Sequence, residues 1–219
     1  MKRLALFDCD GTLVDSQGPI VAAMAAAFAA VGLPDPGRAA TLDIVGLSLP
    51  EAMAHIHPHG TADTQAALVD AYKAAFFDLR GRGAVAEPLY PGFPGLLHRL
   101  AAAGWTLGIA TGKSRRGLAT VLAHHGLTDL FATTHTADDH PSKPDPTMVF
   151  AAMRASGAGP ATTVMIGDTA WDMAMAAAAG CTGLGVGWGY HRPDMLVAAG
   201  ADRVVADAAA LVAFLEERE

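Results

Sequence analysis

Asp8-Cys9-Asp10-Gly11-Thr12 sets two carboxylates two residues apart at the end of an apolar run, Leu4-Ala5-Leu6-Phe7. In an extended strand alternate side chains share a face, so Asp8 and Asp10 are expected to point the same way, roughly 6 to 7 Å apart. Three further segments follow in order: Thr111-Gly112, Lys143-Pro144 and Gly167-Asp168-Thr169-Ala170-Trp171-Asp172. Together they offer paired carboxylates, a hydroxyl, an ammonium and a second acidic pair. Magnesium-assisted hydrolysis of a phosphate ester needs that set of groups.

Each segment alone has a plainer reading. Asp10-Gly11 is also a turn dipeptide, and Thr111 is also an ordinary helix cap. Lys143, with prolines at 141 and 144, is also a solvated lysine in a rigid turn. Asp168 and Asp172, one helical turn apart, also suit the dipole of a helix N-terminus. What favours the chemical reading is their order, each at the border of a segment that reads as a buried strand.

Apolar runs at 106–110, 163–166, 182–186 and 203–205 read as strands, and amphipathic stretches at 92–103, 114–125, 146–156 and 169–179 read as helices. Such alternation predicts an α/β fold, a doubly wound, Rossmann-like parallel sheet covered by helices on both faces. Ligands of such sheets bind beyond the carboxyl ends of the strands, where all four segments fall. Between the first strand and residue 86 no second strand is evident. Helical patterns at 18–31, 49–55 and 61–79 predict an inserted helical cap over residues 15–85, with a discontinuous core of 1–14 and 86–219.

The ordered set resembles the haloacid dehalogenase superfamily and, within it, phosphatases similar to phosphoglycolate phosphatase; Gly185-Val186-Gly187-Trp188-Gly189-Tyr190 is similar to that subfamily too. The resemblance implies Asp8 as nucleophile, forming an aspartyl-phosphate, and Asp10 as general acid and base. It implies Thr111, Gly112 and the backbone beside Cys9 as phosphate contacts, and Lys143 as the cation that neutralises phosphoryl charge. Mg²⁺ is expected on Asp8, the Asp10 carbonyl and Asp168, with Asp172 acting through a water or behind the ligands. The chain departs from many relatives at Gly112, where Asn or Ser is common.

The partner implied is a small phosphorylated metabolite bound under the cap. Candidate cap contacts are the 46–48 loop with Ser48, and the cations Arg38, Lys73, Arg80 and Arg82. A beta-phosphoglucomutase-like transferase and a non-catalytic phosphate-binding regulator are the alternatives; the intact nucleophile, acid, lysine and metal pair argue against the regulator. Dehalogenation is disfavoured, because it needs no counterpart of Asp10. His55, His57 and His59 alternate, but no cysteine or carboxylate nearby completes a tetrahedral zinc set.

A net charge of −7 with no basic patch argues against nucleic acid or an anionic membrane as partner. The apolar run at the start stops at Asp8, too early for a signal peptide, and Gly, Pro or charge interrupts every candidate membrane span. Two cysteines imply no disulfide framework, and a reducing cytoplasm and a monomer or homodimer are expected.

Overall fold

The computed structural model describes residues 2–218. Its centre is a six-stranded, wholly parallel sheet: β1 (Arg3–Phe7), β2 (Trp105–Thr111), β3 (Thr133–Thr136), β4 (Thr163–Gly167), β5 (Thr182–Val186) and β6 (Arg203–Val205). The spatial order is β3-β2-β1-β4-β5-β6, so the direction of winding reverses beside β1. All five strands expected from apolar runs lie within a residue of their predicted ends, and β5 and β6 match outright.

Strands buried on both faces need apolar side chains on both, and β1 supplies them. Ala5 and Phe7 pack towards α5 (Phe93–Ala102), α6 (Arg115–His124) and α10 (Ala208–Glu216). Leu4 and Leu6 pack towards α7 (Thr147–Ser156) and α8 (Ala170–Ala179). A short helix, α9 (Pro193–Ala198), precedes β6 and buries Leu196.

Between β1 and α5 lie four helices: α1 (Gln17–Ala30), α2 (Gly37–Asp43), α3 (Leu49–Ile56) and α4 (Ala62–Gly81). They have a hydrophobic cluster of their own, with Met24, Phe28, Ile44, Met53 and Leu68 buried. This is the inserted helical layer expected from the sequence, with α2 added. Helix α4 is amphipathic only weakly. Of its 20 residues Leu68 alone is buried, so much of its length borders open space.

Candidate active site

The chain leaves β1 at Phe7 and turns sharply, the N–H groups of Leu13 and Val14 both bonding to the Cys9 carbonyl. The strand therefore stops one residue short of the carboxylates, and Asp8 and Asp10 reach different cations, Lys143 and Lys113, while both line one cavity. Gly11 makes the turn possible. Its φ of +84° is left-handed, and a Cβ there would stand 2.1 Å from Asp168 Oδ2.

Asp8 is buried, with Oδ1 accepting from its neighbour Cys9 N–H at 2.7 Å and lying 3.0 Å from Lys143 Nζ. Its Oδ2 is buried without a hydrogen-bond partner among the described residues. Lys143 Nζ also donates to Asp172 Oδ1 at 2.6 Å. The other Asp172 oxygen accepts from Thr169 N–H and Oγ1 at 3.1 and 2.7 Å, a reciprocal cap that fixes the start of α8. Asp168, at the end of β4, accepts from Thr12 Oγ1 at 2.8 Å and Tyr190 N–H at 2.9 Å.

One oxygen from each of Asp8, Asp168 and Asp172 can be drawn from a cluster spanning no more than 4.8 Å. Three buried carboxylates against the single ammonium of Lys143 leave two negative charges uncovered, which matches a divalent cation. The Asp8 carboxyl is raised to about 7, by burial first, with Lys143 pulling it down and Asp172 and Asp10 adding to the rise. Asp168 is raised well above the ordinary carboxylate range by burial, then by Asp172 and Asp8. Burial opposes the charge of Lys143, but Asp172 and Asp8 outweigh it and hold the ammonium above its ordinary value. Carboxylates that resist ionisation while one of their oxygens stays unpartnered fit an oxygen-ligated Mg²⁺.

The Asp10 side is electrically closed. Asp10 Oδ1 accepts from Lys113 Nζ at 2.7 Å and from Ser16 Oγ at 2.5 Å. Lys113 reaches Glu87 at 2.8 Å, and Glu87 reaches Arg80 at 2.9 Å. Ser16 Oγ lies 3.1 Å from Tyr190 Oη. Two carboxylates thus face two cations, which leaves the divalent charge deficit to the Asp8 side. Burial works against the Lys113 ammonium, yet Asp10, with Cys9 and Glu87, keeps it well above its usual value.

Thr111 ends β2, is buried, and accepts the Lys113 N–H at 3.2 Å; the cap of α6 is Ser114, three residues further on. Thr111, Gly112, Asp8 and Asp10 line one cavity of about 570 Å³ that also reaches Ser48 and Arg80. Cys9 does not line it: its side chain packs into the core with Phe7 and Val14, and burial raises its thiol well above the usual range. Lys113, Glu87 and Ser16 carry no sequence signature beyond the position of Lys113 directly after Thr111-Gly112. Trp188 packs on Phe93, whereas Tyr190 and His191 join the site.

The 43–48 segment clasps the core. Ser48 N–H donates to Ser142 Oγ at 2.8 Å, beside Lys143, and Trp171 Nε1 donates to the Asp43 carbonyl at 3.3 Å. His191 Nδ1 accepts from Ala170 N–H at 3.0 Å, so its Nε2 carries the hydrogen and donates to the same Asp43 carbonyl at 3.1 Å. A Cβ on Gly112 would stand 2.4 Å from the Gly46 carbonyl oxygen and 2.5 Å from that of Leu47. Glycine at 112 is what lets the loop descend this far. Of the four cap cations singled out from the sequence, Arg38 is engaged by Gln17, Arg82 by Asp78 and Arg80 by Glu87. Lys73 lines the cavity without an ion pair among the described residues. The histidine trio is scattered: His55 meets Trp171 and His57 meets Phe28.

A family model for haloacid dehalogenase-like hydrolases matches residues 2–180. The chain belongs to the haloacid dehalogenase-like hydrolases. Among relatives, it is 39% identical over 207 residues to a protein named probable phosphatase IndB of Dickeya dadantii, spanning 91% of this chain and 87% of that one. It is 28% identical over 219 residues to a phosphoglycolate phosphatase of Vibrio vulnificus, spanning 96% of this chain and 94% of that one. The solved structure of a hydrolase from Pseudomonas syringae superposes with a TM-score of 0.84 at 28% identity, covering 99% of both chains. The family match thus takes in the helical insertion, and the likeness in fold to that solved hydrolase extends over nearly the whole chain.

Proposed function

We propose that the protein is a Mg²⁺-dependent phosphatase acting on a small phosphomonoester through an aspartyl-phosphate. The observation that carries this reading is Asp8 Oδ2: buried, unpartnered, on a residue that lines the cavity and touches the ammonium of Lys143. Phosphatase names among the relatives support it.

In the first step a carboxylate oxygen of Asp8 attacks phosphorus, the new oxygen–phosphorus bond forms as the ester bond breaks, and Asp10 gives its proton to the departing alcohol oxygen. In the second, Asp10 takes a proton from a water that attacks the same phosphorus, releasing phosphate and restoring the Asp8 carboxylate. Lys143 balances charge on the phosphoryl oxygens, and the Thr111 hydroxyl and Gly112 N–H bind them. Lys113, Ser16 and Glu87 are positioning residues that aim Asp10. Mg²⁺ would be held by Asp8, the Asp10 carbonyl and Asp168, and supplies positive charge to the phosphoryl group. Asp172 positions Lys143, since its two oxygens are engaged by Lys143 and Thr169.

Residues 15–85 act in this proposal as a cap that excludes bulk water. Free cysteines at 9 and 181 support a reducing, cytoplasmic setting, and a monomer or homodimer remains the proposed assembly. No helix among the described residues is long and apolar enough to cross a membrane.

The test is hydrolysis of a generic aryl phosphate with Mg²⁺. Asp8→Asn is expected to lower the rate by at least about a thousandfold in a folded protein. EDTA should abolish turnover and added Mg²⁺ restore it. A folded Asp8→Asn protein with near-normal turnover, or activity in thoroughly metal-free protein, overturns the mechanism.

A further inference from the structure

The C-terminal half of α4 presents Tyr72, Phe76 and Phe77 to the cavity that ends at Asp8 and Asp10. Tyr72 and Phe76 lie one helical turn apart, with ring centroids 5.9 Å apart and planes inclined by 31°. Tyr72 packs in part against the core of the helical layer, but Phe76 is only half-buried and Phe77 is 63% exposed, and neither of these two joins that core. Large aromatic surface left uncovered on the wall of a cleft signals a missing apolar partner. Ile20, Met24 and Ile44 continue the apolar wall.

Charge in the same cavity is arranged around the rings. The Arg80 guanidinium lies 5.5 Å from the Phe76 centroid and is held by Glu87. From α6, across the cleft, the Arg116 guanidinium lies 5.5 Å from the Phe77 centroid. Arg80 is therefore already paired with one carboxylate, through a single nitrogen. A two-carbon phosphorylated acid would also leave most of about 570 Å³ unfilled and the rings wet.

We infer that the cavity selects phosphomonoesters whose alcohol portion carries a planar aromatic ring, placed against Phe76 and Phe77 while the phosphate sits at the end lined by Asp8, Thr111 and Gly112. This rests on the phosphatase reading and narrows its substrate class. Aromatic stacking and burial supply the selectivity. The alcohol leaves with the proton from Asp10, as in the scheme above, and no further reactant is needed.

Three esters with alkyl alcohols separate the ideas: 2-phenylethyl phosphate, ethyl phosphate and phosphoglycolate, assayed with Mg²⁺. The expected result is a kcat/KM for 2-phenylethyl phosphate on the order of 30-fold above the other two. Phe76→Leu and, separately, Phe77→Ser should each shrink the phenylethyl-to-ethyl ratio by about 5- to 10-fold. Because the readout is a ratio within one variant, a general loss of activity does not mimic it. Calorimetry of the Asp8→Asn protein should show 2-phenylethyl phosphate binding at least about 10-fold tighter than ethyl phosphate. Turnover of all three esters at similar kcat/KM, or preference for phosphoglycolate, overturns this inference and leaves the phosphatase reading standing. Hydrolysis of none of them, nor of a generic aryl phosphate, overturns both.

Discussion

Lys143 shows how strongly one residue can be specified by its surroundings. Its ammonium is fully enclosed and shared by Asp8 at 3.0 Å and Asp172 at 2.6 Å, so the charge is paid for before any substrate arrives. Lys143→Ala is expected to cost on the order of 100- to 1000-fold in kcat/KM, and Lys143→Arg to rescue poorly, because a planar fork does not fit a site built round a compact ammonium. A loss under threefold in steady-state assays would reduce Lys143 to a structural lysine. Asp8 and Asp168 carry the pH dependence. Both carboxyls are raised in the fold, Asp8 to about 7 from an ordinary 3.8. Such groups contribute stability below about pH 4 that is lost as pH climbs through 7. Metal-free protein should therefore lose stability across that window, and Mg²⁺, which competes with protons for the same oxygens, should restore it chiefly at the alkaline end. With Mg²⁺ fixed at about a hundred times its pH 8 dissociation constant, the melting temperature is expected to rise by about 5–10 °C at pH 8 and, at that same concentration, by under about 2 °C at pH 5.5. An equal rise at both pH values would contradict the metal assignment.

Gly112 and the 43–48 segment are one fitted pair of elements: the loop carbonyls of Gly46 and Leu47 occupy the space a side chain at 112 would fill. Gly112→Asn should lift the loop, breaking the contacts of Ser48 with Ser142 and of His191 with Asp43. The expected outcome is roughly a 10-fold fall in kcat/KM together with faster amide exchange over residues 43–48. Unchanged exchange there would mean that the loop has slack to spare. At this scale the sequence was informative wherever burial wrote a pattern. The strands β1, β2, β4 and β5 are apolar runs because neighbours cover both faces, and the edge strand β6 keeps only Val204 and Val205. The edge strand β3 is Thr-Thr-His-Thr, half solvated, and carries no apolar signal. Helix α10 begins with three alanines and has no polar stripe to mark a period. The site divides the same way. Asp8, Asp10, Thr111, Lys143, Asp168 and Asp172 were legible because each borders a buried run or a constrained turn. Lys113 and Glu87 were not, because their partnership with Asp10 joins segments tens of residues apart and leaves no periodic trace.

Across the whole molecule, β1 holds the middle of the sheet, paired on one side with β2 and on the other with β4. Its register sets Leu4 against Thr106 and against Thr163, so both neighbours are supplied from far along the chain. The same arrangement brings the nucleophile, the acid, the lysine and the acidic pair to one end of the sheet, where the winding reverses. It also governs how the protein is born. At about 5–20 residues per second, a ribosome delivers β4 on the order of 10–30 seconds after β1, and until then one edge of the first strand lacks its partner. On the proposed mechanism, catalytic competence arrives late and all at once, when the segment carrying Asp168 and Asp172 closes over a strand already made. A nascent chain halted before that segment has its nucleophile, but neither the second metal ligand nor the partner that steadies Lys143, and so should spare the phosphate esters around it.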